Sequence, residues 1–289
     1  MLGPRGKGPV RLRLSAHWDD LSHEFDAGLQ QISGSSPFVL DPQIKDEYVY
    51  LSPKRTKSST LLERAGMYGW VSPADGDRRK VALRDPSESM LSQVGEPGLF
   101  PELATLIQRM SQWRFFHQFD TGSASELRRP QPGVRSDTLA SDGSNLGAAI
   151  ATLQERGHHR ALLEAIDSAF PGYGVDVEAK SGVFSVAMHA PGVRRPLSAL
   201  ELSDGQLRFL CLAVALLSSR PPELLVLNEP ENSLHPGAIA ALAPLILDAA
   251  KYSQVWVTSH SATLCEVLAP HATVNQLTIR EGQTTVHQL

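Results

Sequence analysis

The sequence predicts an α/β protein built on a parallel sheet, and two observations in its last third carry that prediction. From Leu200 onward the apolar runs are nearly continuous: Leu207 to Leu217, Leu224 to Leu227 and Val255 to Val257. A strand such as Leu224-Leu225-Val226-Leu227, apolar on both faces, is expected where both faces of a parallel sheet are covered. The second observation is order. A helix from Ser203, a strand at Leu224, a helix over Gly237 to Ala250, a strand at Val255 and a further helix alternate as parallel α/β units do.

The first part reads differently. Val10 to Leu14 alternates apolar and basic residues, and Phe38-Val39-Leu40 and Tyr48-Val49-Tyr50-Leu51 sit between turn residues, so residues 1–98 are expected to be β-rich. From Ser52 to Gly98, Ser, Pro, Arg and Asp predict exposed loops and short strands. Pro101 suits a first helical turn, and Leu103, Leu106, Ile107 and Met110 extend the periodicity of a helix expected to reach Phe116. Asp120 to Gly143 reads as a long loop. Helices are expected over Asn145 to Arg156, capped by Ser144 or Asp142, and over Arg160 to Phe170, stopped by Pro171-Gly172. Val175 to Glu178 and Val183 to Met188 flank Lys180-Ser181-Gly182 as a hairpin. The expected division is 1–98 β-rich, 99–197 a helical and hairpin lobe, and 198–289 the α/β core.

Composition narrows the function classes. A net charge of −4, from 27 basic and 31 acidic residues, argues against wholesale coating of nucleic acid, although a local basic patch is compatible with it. The N-terminus leads into no apolar h-region, and no apolar run approaches the ~20 residues that span a bilayer. Cys211 and Cys265 lie in apolar helical patterns without metal-ligand spacing, which reads as buried, reduced thiols in a cytoplasmic protein.

Three motifs point to chemistry. Leu202-Ser203-Asp204-Gly205-Gln206 opens a long apolar helix, where free backbone N–H groups and the helix dipole favour an anion; an ordinary Ser N-cap is the alternative. Leu224 to Leu227 ends in Asn228-Glu229-Pro230, polar residues at the carboxyl end of a buried strand, where α/β proteins bind ligands. Glu229 is placed to orient or deprotonate a water attacking a γ-phosphate. Asn228 stands where phosphate-transferring ATPases usually carry an Mg²⁺-associated Asp, and its amide offers oxygen without charge. Val255-Trp256-Val257-Thr258-Ser259-His260 is a further strand expected to be buried; it delivers His260 to the same edge.

In this order and spacing the motifs resemble the ABC-class P-loop ATPases. Leu202 to Gln206 looks like their signature motif, Leu224 to Glu229 like the Walker B strand with its catalytic glutamate, Glu231 to Pro236 like the D-loop, and His260 like the switch histidine. The Glu-Pro-Glu-x-x-Leu-His-Pro form is more like the RecF/SMC-like branch than like transporter subunits. Glu88 to Gln93 resembles that branch's Q-loop region, and Asp142 to Leu146 a segment before its helical lobe. The resemblance implies ATP and Mg²⁺ as ligands, with Glu229 and His260 catalytic. It implies nucleotide contacts from Ser203, Asp204, Gly205, Gln206 and Gln93, and metal contacts from Asn228 and Gln93. It also implies a head-to-tail homodimer through the signature motif and D-loop, with DNA as a possible partner and no membrane. Glu231, the other carboxylate of the loop, is the next candidate for the base.

A phosphate loop requires Gly-x-x-x-x-Gly-Lys-Ser/Thr between strand and helix. Gly6-Lys7 is followed by Gly8, and Lys57-Ser58 lacks the glycines. The expectation is a chain whose first βα unit is missing through a late start or truncation, with a degenerate ATPase as the alternative. A non-hydrolysing scaffold of the same fold is the competing function.

Overall fold

Alternation and turn residues organise the N-terminal part as an antiparallel meander. The computed structural model describes residues 11–29, 41–72, 77–94, 98–280 and 283–288. The Gly3 to Lys7 stretch and the expected strand at Phe38 to Leu40 lie outside them. The chain divides into two compact units, Met1–Ser111 with Glu281–Gln283, and Gln112–Arg280 with Thr284–Leu289.

In the first unit, β1 (Arg11–His17), β2 (Leu21–Leu29), β3 (Pro42–Leu51), β4 (Thr60–Ala65), β5 (Tyr68–Val71) and β6 (Arg79–Ala82) pair in chain order as one antiparallel sheet. Period-two patterning puts Leu21, Val49, Leu62 and Val71 into a core shared with α1 (Met90–Gln93) and α2 (Pro101–Ser111) through Met90, Leu103 and Leu106, and with Phe100 just before α2. Charged residues are buried there as well. Glu47 lies 3.0 Å from His23 Nε2 and accepts from the Met90 N–H at 2.6 Å and from the Ser89 hydroxyl. Arg64 donates to the carbonyls of Gly66, Pro86 and Glu88. Two buried side chains of opposite charge thus fix the turn that leads into Gln93.

The second unit holds β7 (Arg114–Phe116), β8 (Gln131–Pro132), α3 (Leu146–Glu155), α4 (His159–Ala169), β9 (Gly174–Lys180), β10 (Val183–His189), β11 (Leu197–Ser198) and α5 (Asp204–Leu216). Then come β12 (Leu224–Asn228), α6 (Pro236–Ala249), β13 (Gln254–Thr258), α7 (Ala262–Leu268), β14 (Asn275–Arg280) and β15 (Gln283–Gln288). The hairpin β9–β10 turns at Ser181 and Gly182, both at positive φ (52° and 78°), as a two-residue type I′ turn requires. The parallel sheet has the order β13-β12-β7. Leu225 and Leu227 join Phe209, Leu210, Ala213, Leu242 and Ile246 in one core.

Several expectations need correction. The helix from Pro101 stops at Ser111, and Arg114–Phe116 is a strand, because its backbone pairs with Leu225–Leu227. The expected loop from Asp120 contains a 3₁₀ turn at Glu126–Arg128 and the short strand β8. Neither Ser144 nor Asp142 caps α3; Asp142 accepts from the Ser144 N–H, and Asn145 occupies the cap position with its side chain turned to Ala140. The strand β13 is not buried on both faces. Trp256, level with Val226 and Phe115 across the sheet, is 55% exposed, and Phe115 is 52% exposed. Cys211 is buried as expected, but Cys265 is half-buried.

Candidate active site

Three parallel strands end at one edge, so the residues just past them meet. These are His117 after β7, Asn228 and Glu229 at the end of β12, and Ser259 and His260 after β13. Asn228 sits between the neighbours. Its Oδ1 accepts from the Thr258 hydroxyl at 2.6 Å, and its Nδ2 lies 2.8 Å from His117 Nδ1. The amide is oriented from both sides.

Glu229 has φ = 46°, a left-handed conformation that non-glycine residues rarely adopt. Two backbone contacts hold it there. Its N–H donates to the Thr258 carbonyl at 2.8 Å, and its carbonyl accepts from Arg208 Nη2 at 2.9 Å. The turn throws the carboxylate forward, with Oε1 3.3 Å from His260 Nε2 and Oε2 accepting from Asn232 Nδ2 at 2.6 Å. His235 closes the loop as the N-cap of α6, with Pro236 in its first turn.

The start of α5 faces this loop. Ser203 and Gln206 form a capping box, in which the Gln206 N–H donates to Ser203 Oγ (3.2 Å) and the Ser203 N–H to Gln206 Oε1 (2.9 Å). Two of the N–H groups expected to face an anion are therefore used within the helix start. Arg128, buried beneath it, donates to the carbonyls of Ala199 and Leu202 and to Asp204 Oδ1 (2.8 Å). A Cβ on Gly205 would lie 2.6 Å from the Ser233 carbonyl oxygen. Glycine is needed there so that helix and loop can touch.

The structure therefore brings Ser203, Asp204, Gly205, Gln206, Asn228, Glu229 and His260 into one unit. Gln93 belongs to the first unit, where its amide accepts from the Arg84 N–H at 2.8 Å and donates to the Asp85 carbonyl at 3.3 Å. A cleft of about 340 Å³ is lined by His117, Gln118, Arg208, Asn228, Glu229, Asn232 and Ser233. Sequence reasoning missed His117 and Gln118 because they follow a strand hidden in a helical pattern. It also missed Arg128 and Arg208, whose burial nothing local announces.

Chemically the cleft offers a carboxylate able to orient a water, imidazole and amide groups, and one guanidinium already committed to a carbonyl. Among the described residues no group of three or more His, Cys, Asp or Glu side chains is arranged to hold a metal. An Mg²⁺ arriving with nucleotide phosphates would meet Asn228 Oδ1, a neutral oxygen with a lone pair beside its bond from Thr258. That donor fits Mg²⁺ only as an adjunct to phosphate and water ligands.

The chain carries an AAA domain. The model of the family described as "AAA domain, putative AbiEii toxin, Type IV TA system" matches residues 66–266, and the chain belongs to that family. No curated protein matches the chain. Solved structures with some likeness include an SMC head bound to the C-winged helix domain of ScpA (11% identity, 93% of this chain and 75% of that one, TM-score 0.46). The SMC head domain from Thermotoga maritima is similar at 14% identity, over 89% of this chain and 78% of that one, with a TM-score of 0.38. An SMC ATPase studied for ATP-driven dimerization matches at 17% identity, over 49% and 89% of the two chains, with a TM-score of 0.40. These scores lie below the level at which a shared fold follows. No helix among the described residues is long and apolar enough to cross a membrane.

Proposed function

We propose that this chain contributes the water-activating and signature parts of an ATP-hydrolysing site of the ABC class, in the RecF/SMC-like branch, working as a head-to-tail homodimer. The observation that supports this best is Glu229. It closes a parallel strand, is held in a left-handed turn by Arg208 and Thr258, and points its carboxylate at His260 beside Asn228. In this reading Glu229 orients and deprotonates the attacking water, and His260 contacts the γ-phosphate. Asn228 would offer Mg²⁺ its neutral side-chain oxygen, and Ser203 and Gly205 would cap the nucleotide held by the partner copy. Asp204 and Gln206 shape the signature turn. ATP supplies the phosphates and carries Mg²⁺, whose chemistry is to neutralise charge on the β- and γ-oxygens. A cytoplasmic location belongs to the same proposal, and the unpaired Cys211 and Cys265 support it. DNA as a partner rests on the family resemblance.

The competing reading, a scaffold that does not hydrolyse ATP, is favoured by one observation. The 289 residues contain no Gly-x-x-x-x-Gly-Lys-Ser/Thr. Calorimetry with Mg-ATP on these residues alone should, in this reading, give binding far weaker than micromolar.

Sedimentation in the presence of Mg-ATP tests the proposal. With a phosphate loop supplied, Glu229→Gln should accumulate an ATP-dependent dimer, and Ser203→Arg should abolish it while single copies still bind nucleotide. Dimerisation indifferent to both substitutions would refute the arrangement.

A further inference from the structure

Glu231 lies two residues beyond Glu229 and by residue type is the second candidate for the base. Its contacts give it different work. One oxygen, Oε1, accepts three hydrogen bonds from the segment after β13: from Ser259 Oγ at 2.7 Å, the His260 N–H at 2.6 Å and the Ser261 N–H at 3.0 Å. The other, Oε2, is buried without a protein partner. Glu231 is not among the residues lining the cleft. A carboxylate with one oxygen saturated and the other enclosed is not presented to a water entering there.

The three donors are consecutive, and they span the turn between β13 and α7. Ser261 is the N-cap of α7, its Oγ accepting from the Leu264 N–H at 3.2 Å. His260 sits between two anchored neighbours. Its own N–H is fixed while its ring is largely exposed and reaches Glu229 Oε1 at 3.3 Å. The backbone, and not packing around the ring, therefore decides where the imidazole stands.

We propose that Glu231 is the positioning residue of the switch segment Ser259–Ser261, setting His260 against Glu229. The assignment rests on the reading of Glu229 as the base, and it acts through geometry already present without nucleotide. The loop from Glu229 to Asn232 and the turn after β13 move as one piece because Glu231 ties them together.

The test is nuclear magnetic resonance on the full chain without nucleotide. In Glu231→Ala the His260 amide hydrogen should exchange about tenfold or more faster, as expected for losing a bond to a charged acceptor, with β12 amides unchanged; the Ser261 amide keeps Ser259 Oγ as a second acceptor at 3.0 Å and should change less. Glu231→Gln, which keeps an acceptor oxygen at the same reach, should restore most of the protection. Glu231→Asp keeps the charge but falls short by one methylene, so it should behave like alanine; it also decides the matter if Glu231→Ala does not fold.

The second readout is specific to positioning. Glu229→Gln should shift the His260 ring signals in the native chain and leave them unmoved in the Glu231→Asp background. Unaltered amide protection in Glu231→Asp, or a full Glu229→Gln shift persisting there, would overturn the proposal. Because neither readout uses ATP, a failure of the ATPase reading registers separately, as unchanged phosphate release in Glu229→Gln.

Discussion

Arg208 Nη2 donates to the main-chain carbonyl of Glu229 at 2.9 Å, linking the helix that begins at Ser203 to the carboxylate at the end of β12. Arg208 is about one turn into α5 and is buried. Burial depresses its pKa, and the carboxylates of Glu231 and Glu229 oppose that shift. A guanidinium remains charged at neutral pH even so. It therefore acts as a permanent clamp on the Glu229 backbone.

The clamp holds a conformation that costs free energy. At φ = 46° a side chain with a Cβ is strained by about 1 kcal/mol or more, and glycine is not. Glu229→Gly should therefore be more stable than Glu229→Ala by about 1 kcal/mol, although both lack the carboxylate. Urea unfolding of the two variants measures the difference. Equal midpoints would mean that the turn is relaxed with any residue.

Gly205 gives a second mechanical expectation. Its missing Cβ leaves room for the Ser233 carbonyl, which would otherwise be 2.6 Å away. Since Ser233 itself is held at φ = 63°, the loop has little freedom to retreat. Gly205→Ala should lower stability by about 1–3 kcal/mol, as overpacking does. A thermal melt coinciding with that of the native chain would show that the loop yields freely.

The first unit should show its own acid sensitivity. Burial pushes the Glu47 carboxyl up, but hydrogen bonds from His23, Ser89 and the Met90 N–H, with the His23 charge, hold it below its ordinary value of 4.5. A carboxylate depressed on folding contributes stability that is present above pH 4.5 and lost as pH falls through the folded-state value. Glu47→Gln should flatten the acid limb of stability against pH, while lowering stability at neutral pH. An acid limb of unchanged slope would remove Glu47 from the account.

How far the sequence reveals the site depends on which contacts are local. Leu224 to Asn228 is legible because four apolar residues and a polar terminus are set by neighbours in the chain. The Ser203 start of α5 is legible because a capping box is a four-residue pattern. The strand Arg114–Phe116 is not, since nothing local separates it from the helix before it. Only pairing with Leu225–Leu227, far along the chain, makes it a strand and carries His117 to the site. Arg128 and Arg208 are hidden for the same reason: a buried arginine is recognised by carbonyls that the fold delivers. The exposed face at Trp256 is illegible in turn, because an apolar run records what could be covered and not what is.

The central claim is that Glu229 activates the water. Phosphate release from Mg-ATP tests it most directly, measured on the chain joined to a strand–Gly-x-x-x-x-Gly-Lys-Ser–helix segment. Glu229→Gln keeps the size and hydrogen bonding of the side chain but cannot accept the proton. The account predicts a fall of roughly 10²–10⁴-fold in rate with nucleotide affinity retained, the loss typical of a general base. Hydrolysis by Glu229→Gln at the native rate would contradict it.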